Sequence, residues 1–338
     1  MEVNGGFALN VTDPSGAGEV RRRVGALAQV LGFGETDAGR AALAATEAAT
    51  NLAKHAHGGG VVIVRPCGRG PARGVELLTV DRGPGIPSVA DALRDGFSTA
   101  GSPGTGLGAL SRLSDEFELF SQAGQGTVLM SRVWAADPGP ADVEVSVGAV
   151  SVAKPGEPVC GDAWSSAHGP SRCVLVCADG LGHGPDAATA SIGAVRVFDE
   201  HWEDGPERLL ERMHSALRPT RGAAVSVAEI DLEARTVRYA GVGNIAATLW
   251  APGETRSLVS HNGIVGHEMR KVQLFEYPLP PRGLFVMHSD GVSTRWQLEK
   301  YPGLALRDPA VIAAVLYRDF CRGRDDATVV VAREIQPS

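Results

Sequence analysis

Four short acidic segments in the second half of the chain carry residues that could hold metal ions. They read GDAW around Asp162, ADGLGHG around Asp179, SDGV around Asp290 and DDAT at Asp325 and Asp326. Three of the four follow, or sit at the edge of, an apolar run with the composition of a β-strand. A carboxylate at the end of a buried strand is costly unless something pairs with it. Several such ends brought together make a cluster of hard oxygen ligands, which suits Mg²⁺ or Mn²⁺. Two ions held close together can activate a water and clamp a phosphoryl oxygen. A single Asp-Gly pair is most often only a turn. Four acidic segments in this order are much harder to explain that way.

A second set of residues lies in the first half. Residues 37–55, DAGRAALAATEAATNLAKH, are dominated by helix formers, with Leu43, Ala44, Glu47, Asn51 and His55 near one stripe. Glu47, Asn51 and His55 recur every four residues and project from one face. Such a polar stripe usually faces solvent, but here a strand-like VELLTV follows and ends in Asp81-Arg-Gly-Pro-Gly. A carboxylate there, with Gly83 and Gly85 beside it, can accept a hydrogen bond from an adenine amino group while the backbone passes close to the ring. The stretch around Gly101, Gly104, Gly106 and Gly108 leaves backbone N–H groups uncovered before a helical LSRLSDEFEL, where they can cradle phosphates. A glycine loop or a helix C-cap explains GTGLG equally well. It is not a Rossmann fingerprint, because its spacing differs and no parallel βαβ unit precedes it. An Asn51 amide oxygen can hold Mg²⁺, and Glu47 can act as a base on an attacking hydroxyl.

The elements that must position these groups follow from pattern. The Pro-, Gly- and Asp-rich segment at 136–142, between two β-like runs, reads as a linker. It separates a domain at 1–135 from one at 143–338, each of ordinary size. In the second, helices are expected at 186–200, 205–217 and 309–320. AEIDLEARTVRYA reads as two strands around a turn at 232–235, RGLFVMHSDGV as a strand delivering Asp290, and ATVVVARE as the last strand. This is an α+β chain with much antiparallel sheet.

Composition removes some classes. The formal net charge of −7 offers no basic footprint for nucleic acid or an anionic membrane. No apolar run approaches the roughly 20 residues of a membrane span. The N-terminal residues lack a basic start and an apolar signal core. The five cysteines have no CxxC spacing, and Cys173 and Cys177 sit in an apolar CVLVC, so a reducing cytoplasm is expected. His201, His214 and His261 have no ligand spacing and read as surface or packing residues.

The motifs of the first half, TEAATNLAKH, DRGPGIP and GTGLG in this order, resemble the N, G1 and G2 boxes of the GHKL (Bergerat-fold) ATPases. LGFGETD, RDGFSTAG and LSDEFEL are similar to the RsbT-type serine switch kinases. GTGLGAL departs from that type toward the general ATPase pattern. The resemblance implies an α/β sandwich that binds ATP, with Glu47 as catalytic base, Asn51 on Mg²⁺ and Asp81 on adenine. It makes Gly83, Gly85, Gly104, Gly106 and Gly108 the shapers of the nucleotide loops and puts Thr127 near the adenine. GD at 161–162, DGLGHG, SDGV and DDAT, with AGVGN at 240–244, resemble the SpoIIE/RsbX branch of the metal-dependent serine/threonine protein phosphatases. That implies an α/β-β/α sandwich holding two Mn²⁺ or Mg²⁺ ions. Asp179 would bridge them and the Gly180 carbonyl would bind one. Asp162 would support the first ion through water, Asp290 and Asp325 would complete the second, and Asp326 would assist. His183 would lie at the margin, as a loop-shaping or a catalytic residue.

Together these imply a cytoplasmic, bifunctional regulator of a partner-switching pathway. It would phosphorylate Ser or Thr of a STAS-domain antagonist, with stressosome components as further partners, and dephosphorylate phosphoserine or phosphothreonine. The alternative is a phosphatase governed by an ATP-binding, non-catalytic partner-binding domain. A sensor histidine kinase would need an acceptor-His helix, for which too few residues precede Asp37. A chaperone or topoisomerase ATPase would need a transducer domain, whose place the phosphatase takes.

Overall fold

The computed structural model describes residues 6–69, 72–93, 106–139 and 144–335. The chain forms two compact units, 1–142 and 143–338.

The first unit opens with strand β1 (Phe7–Val11) and helices α1 (Ser15–Val30) and α2 (Glu35–His55). Strands β2 (Gly60–Arg69) and β3 (Ala72–Asp81) follow, then the short helix α3 (Val89–Ala92) and helix α4 (Gly106–Leu113). Strands β4 (Glu116–Gln122) and β5 (Gly126–Trp134) complete an antiparallel sheet of order β1-β2-β3-β5-β4. Helix α2 covers the sheet with alanines 41, 44, 45, 48 and 49 and with Leu52, which meet Val62, Val64, Val75, Leu77, Leu129 and Val133 in one apolar cluster. Small side chains let the helix lie close, so its next face, bearing Glu47 and Asn51, stays half-buried at the rim of the core. Leu43, expected on the same stripe, instead points outward at 49% exposure.

One expected element is corrected. LSRLSDEFEL is not a single helix. The helix is α4, and DEFEL enters β4. Glu116-Phe117-Glu118-Leu119 alternates with period two, and pairing with β5 overrides its helical propensity.

The second unit is a sandwich of two antiparallel sheets. Its strands are β6 (Val145–Val152), β7 (Asp162–Gly169), β8 (Arg172–Gly180), β9 (Ala223–Asp231), β10 (Thr236–Val242), β11 (Ala246–Ala251), β12 (Glu254–Ser257), β13 (Phe275–Pro278), β14 (Leu284–His288) and β15 (Ala327–Glu334). One sheet has order β13-β10-β9-β8-β7 and the other β12-β11-β14-β15-β6. Their facing sides supply one core: Cys173, Leu175 and Cys177 of β8, Val237 and Tyr239 of β10, Phe285 and Met287 of β14, Val330 and Ala332 of β15. Helices α5 (Pro185–His201) and α6 (Pro206–Ala216) pack on the first sheet, and α7 (Pro309–Phe320) on the second. β8 is therefore buried on both faces, which is why CVLVCA reads as a continuous apolar run. The result is a helix–sheet–sheet–helix, α/β-β/α arrangement.

Candidate active sites

In the first unit the chemistry-bearing side chains sit along the half-buried face of α2 and at the end of β3. Asp81 is the last residue of β3, and its Oδ1 accepts from the Gly83 N–H at 2.7 Å and the Thr127 N–H at 3.3 Å. One carboxylate oxygen thus closes the β3 turn onto the start of β5. The Thr127 hydroxyl lies 2.9 Å from that of Ser121, which also accepts from the Ile86 N–H at 2.8 Å. Gly85 has φ +70°, and a Cβ there would fall 2.1 Å from the Gln122 carbonyl oxygen, so both conformation and space require glycine.

Asn51 faces the first turn of α4. A Cβ on Gly106 would lie 2.9 Å from Asn51 Oδ1, so glycine keeps space open beside that oxygen. Asn51 Nδ2 is buried without a hydrogen-bond partner among the described residues. A helix start, whose first N–H groups have no partner within the helix, next to an amide oxygen with room beside it, fits a phosphate chain carrying a divalent ion. Gly106 and Gly108 lie inside α4 rather than in a loop ahead of it. Gly101 and Gly104 fall outside the described residues. Glu47 is half-buried one turn before Asn51, and His55 is exposed.

In the second unit the strand ends meet at one end of the sandwich. Asp162 begins β7 and stands directly opposite Asp179 of β8. Paired residues of adjacent strands share a face, so the two carboxylates are neighbours by register. Gly180 ends β8, and a Cβ there would lie 2.0 Å from the Ala187 carbonyl oxygen, so only glycine lets α5 approach. Asp290 follows β14 and accepts from Asn244 Nδ2 at 2.7 Å. Asp325 and Asp326 precede β15; Asp325 Oδ1 accepts from the Asp326 N–H, and Asp326 Oδ1 from the Lys154 N–H at 2.9 Å. Ser289 Oγ donates to Asp162 Oδ2 at 2.6 Å.

This cluster repels itself. Burial first, then the charges of Asp162, Asp290, Asp325 and Asp326, push Asp179 up to about 9. Burial pushes Asp162 up to about 7, opposed by the Ser289 hydroxyl and reinforced by Asp326. Burial and Asp325 also raise Asp290, and burial raises Asp326. Asp162 Oδ1 and Asp326 Oδ2 are buried without hydrogen-bond partners among the described residues. Unsatisfied carboxylate oxygens in a self-repelling group are the condition that a divalent cation relieves. No group of three or more His, Cys, Asp or Glu among the described residues forms a ready-made cage.

His183 pairs through Nδ1 with Glu157 Oε1 at 2.6 Å and is 47% exposed, a contact that shapes the DGLGHG loop. His214 accepts from the Gly266 N–H, and His261 stacks on Phe275. Asn244, Ser289 and the Lys154 N–H were not singled out as individual residues by sequence reasoning. Asn244 ends AGVGN and Ser289 begins SDGV, so both lay inside flagged motifs; nothing in the sequence marks a backbone N–H at 154.

Comparisons with known proteins agree with this division. A model described as "Histidine kinase-like ATPase domain" matches residues 11–132, and one described as "Stage II sporulation protein E (SpoIIE)" matches residues 169–334. The chain is 41% identical over 108 residues to the serine/threonine-protein kinase RsbT of Bacillus subtilis (strain 168), spanning 32% of this chain and 80% of that protein. It is 27% identical over 141 residues to the phosphoserine phosphatase RsbX of the same organism, spanning 41% of this chain and 71% of that one. Among solved structures, one described under the bacterial stressosome as a modular system adapted to control secondary messenger signaling has a TM-score of 0.53 and 27% identity, covering 56% of this chain and 99% of its own. RsbX in complex with magnesium has a TM-score of 0.50 and 21% identity over 56% of this chain and 96% of its own, a likeness of fold. No helix among the described residues is long and apolar enough to cross a membrane.

Proposed function

The chain belongs, through its first unit, to the RsbT family of histidine kinase-like ATPase-domain proteins and carries a SpoIIE-type phosphatase domain in its second, and on that premise we propose that it sets the phosphorylation state of one protein from both sides. The target is a STAS-domain antagonist of a cytoplasmic partner-switching pathway, with stressosome proteins as its wider setting. The reading rests on one observation: both sites keep their reactive side chains within a single chain.

In the first unit, bound ATP supplies the γ-phosphoryl group and its Mg²⁺ the neutralising charge. Asp81 accepts from the adenine amino group while its Oδ1 holds the surrounding turn. Asn51 offers its amide oxygen toward the ion, and the first N–H groups of α4 face the phosphates. Glu47 takes the proton of the incoming Ser or Thr hydroxyl.

In the second unit, two Mn²⁺ or Mg²⁺ ions when bound supply a nucleophilic water and a clamp on the phosphoryl oxygens. Asp179 with the Gly180 carbonyl, and Asp290 with Asp325, would hold them. Asp162 and Asp326 would orient water around them through the oxygens left unpartnered among the described residues. Asn244 fixes the Asp290 carboxylate, and the Lys154 N–H fixes that of Asp326.

The test is a phosphorylation balance on a purified STAS protein, read by intact-protein mass spectrometry. With ATP and Mn²⁺ the wild-type chain holds an intermediate phosphorylated fraction. Glu47→Ala drives the target to the unphosphorylated form and Asp179→Asn to the phosphorylated form. If the two variants move the target in the same direction, or move different proteins, the opposed-activity reading fails. ATP binding without any transfer favours the alternative, a phosphatase regulated by a non-catalytic ATP-binding domain.

A further inference from the structure

We infer that Ser289 is a positioning residue for the metal-binding carboxylates, setting which oxygen of Asp162 is presented to them. The inference rests on the phosphatase reading of the second unit. Ser289 is fully buried at the end of β14, where the strand runs into the Asp290 loop. Its backbone N–H donates to the Thr328 carbonyl at 3.0 Å, and its Oγ accepts from the Thr328 N–H at 3.0 Å. Thr328 thus clamps it twice. A hydroxyl has a single proton, and with the amide N–H on a lone pair that proton goes to Asp162 Oδ2, at 2.6 Å. The bond is short, and it strengthens as Asp162 ionises.

The consequence is geometric. Asp162 and Asp179 belong to β7 and β8 of one sheet, whereas Ser289, Asp290, Asp325 and Asp326 border β14 and β15 of the other. The Ser289 hydroxyl spans from one group to the other at the carboxylate cluster. It occupies Oδ2 and leaves Oδ1 as the buried oxygen of Asp162 without a partner. Ser289 therefore couples the ligand-bearing ends of the two sheets, and its loss leaves the Asp162 carboxylate with the weaker hold of the Thr328 hydroxyl. Partners that orient ligands in this way are worth about 10–100-fold in metal affinity or activity.

Calorimetric titration of the full-length protein with Mn²⁺ tests this, alongside half-saturation of phosphatase activity by Mn²⁺. Ser289→Ala is expected to weaken Mn²⁺ binding about 10-fold or more and to raise half-saturation by the same factor. Ser289→Thr keeps the hydroxyl and is expected to recover most of the affinity. Ser226→Ala removes another fully buried hydroxyl, bonded to Tyr239 inside the sandwich. It is expected to lower the melting temperature and leave Mn²⁺ affinity at the wild-type value. If Ser289→Ala does not fold, Ser289→Cys makes the same comparison with a weaker donor of similar size. Wild-type affinity in a folded Ser289→Ala or Ser289→Cys protein, or an equal loss in Ser226→Ala, overturns the inference. Failure of the wild-type protein to bind Mn²⁺ at all would overturn the phosphatase reading itself.

Discussion

Metal binding to the second unit should be strongly linked to protons. Asp162 is raised to about 7 and Asp179 to about 9, both by burial first and then by neighbouring carboxylates. At pH 7 Asp179 is therefore largely protonated and Asp162 partly so, with the protons shared across the cluster. A cation held at this cluster favours the ionised form of both, so binding is expected to expel protons that they carry. The expected release exceeds one proton at pH 6 and falls as pH rises through about 7 and then about 9. The logarithm of the apparent Mn²⁺ affinity should climb with pH and flatten once pH has passed the higher of the two values. Calorimetry at each pH, in buffers of different ionisation enthalpy, counts the protons directly. The metal-free protein should show the opposite trend in stability. Both folded pKa values lie above the ordinary 3.8, so the folded state binds more protons than the unfolded chain across that interval. The contribution of these carboxyls is fully present below about pH 4 and is lost as pH rises through 7 and then 9. Saturating Mn²⁺ should remove that loss. An affinity that does not change between pH 6 and 8 would refute the account of a buried, self-repelling cluster.

Three further outcomes are expected. Glu47→Ala should bind a non-hydrolysable ATP analogue like the wild-type protein and lose phosphoryl transfer, whereas Asp81→Asn should lose nucleotide affinity; equal binding by the two variants in calorimetry would refute these roles. Asn244→Ala removes the donor at 2.7 Å from Asp290 and should raise the Mn²⁺ concentration for half-maximal phosphatase activity by about 10-fold, with unchanged half-saturation counting against it. In the first unit Glu76 is fully buried; burial would raise its carboxyl, but Arg65 and Arg132 outweigh that and hold it low. Glu76→Ala strands those cations and should destabilise the first unit by about 3 kcal/mol, read as an earlier urea transition in its amide hydrogen exchange; an unshifted transition would show that the network contributes nothing.

Much of this protein was legible in its sequence because the signals are local. The alanine face of 37–55, the apolar CVLVCA run and the strand before each of Asp81 and Asp290 depend only on periodicity and burial. The four acidic segments and the spacing of Glu47 and Asn51 were likewise visible as residue types in order. DEFEL was misread because its charged and apolar residues fit a helix until β5 supplied a partner with period two. What the sequence could not contain is who stands beside whom. Ser289 reaches Asp162, 127 positions away, because the sheet of β14 and β15 packs on that of β7 and β8, and Asn244 reaches Asp290, 46 away, because β11 pairs with β14. The Lys154 N–H on Asp326 is a main-chain group that every residue but proline carries, so no letter marks it. Glu76 reads as one polar residue in VELLTV, yet cross-strand pairing places it between two arginines. Residue type determines which groups could do chemistry. Strand register, a property of paired backbones far apart in the chain, decides which carboxylates share a face, and burial then sets the protonation they must give up to bind a metal.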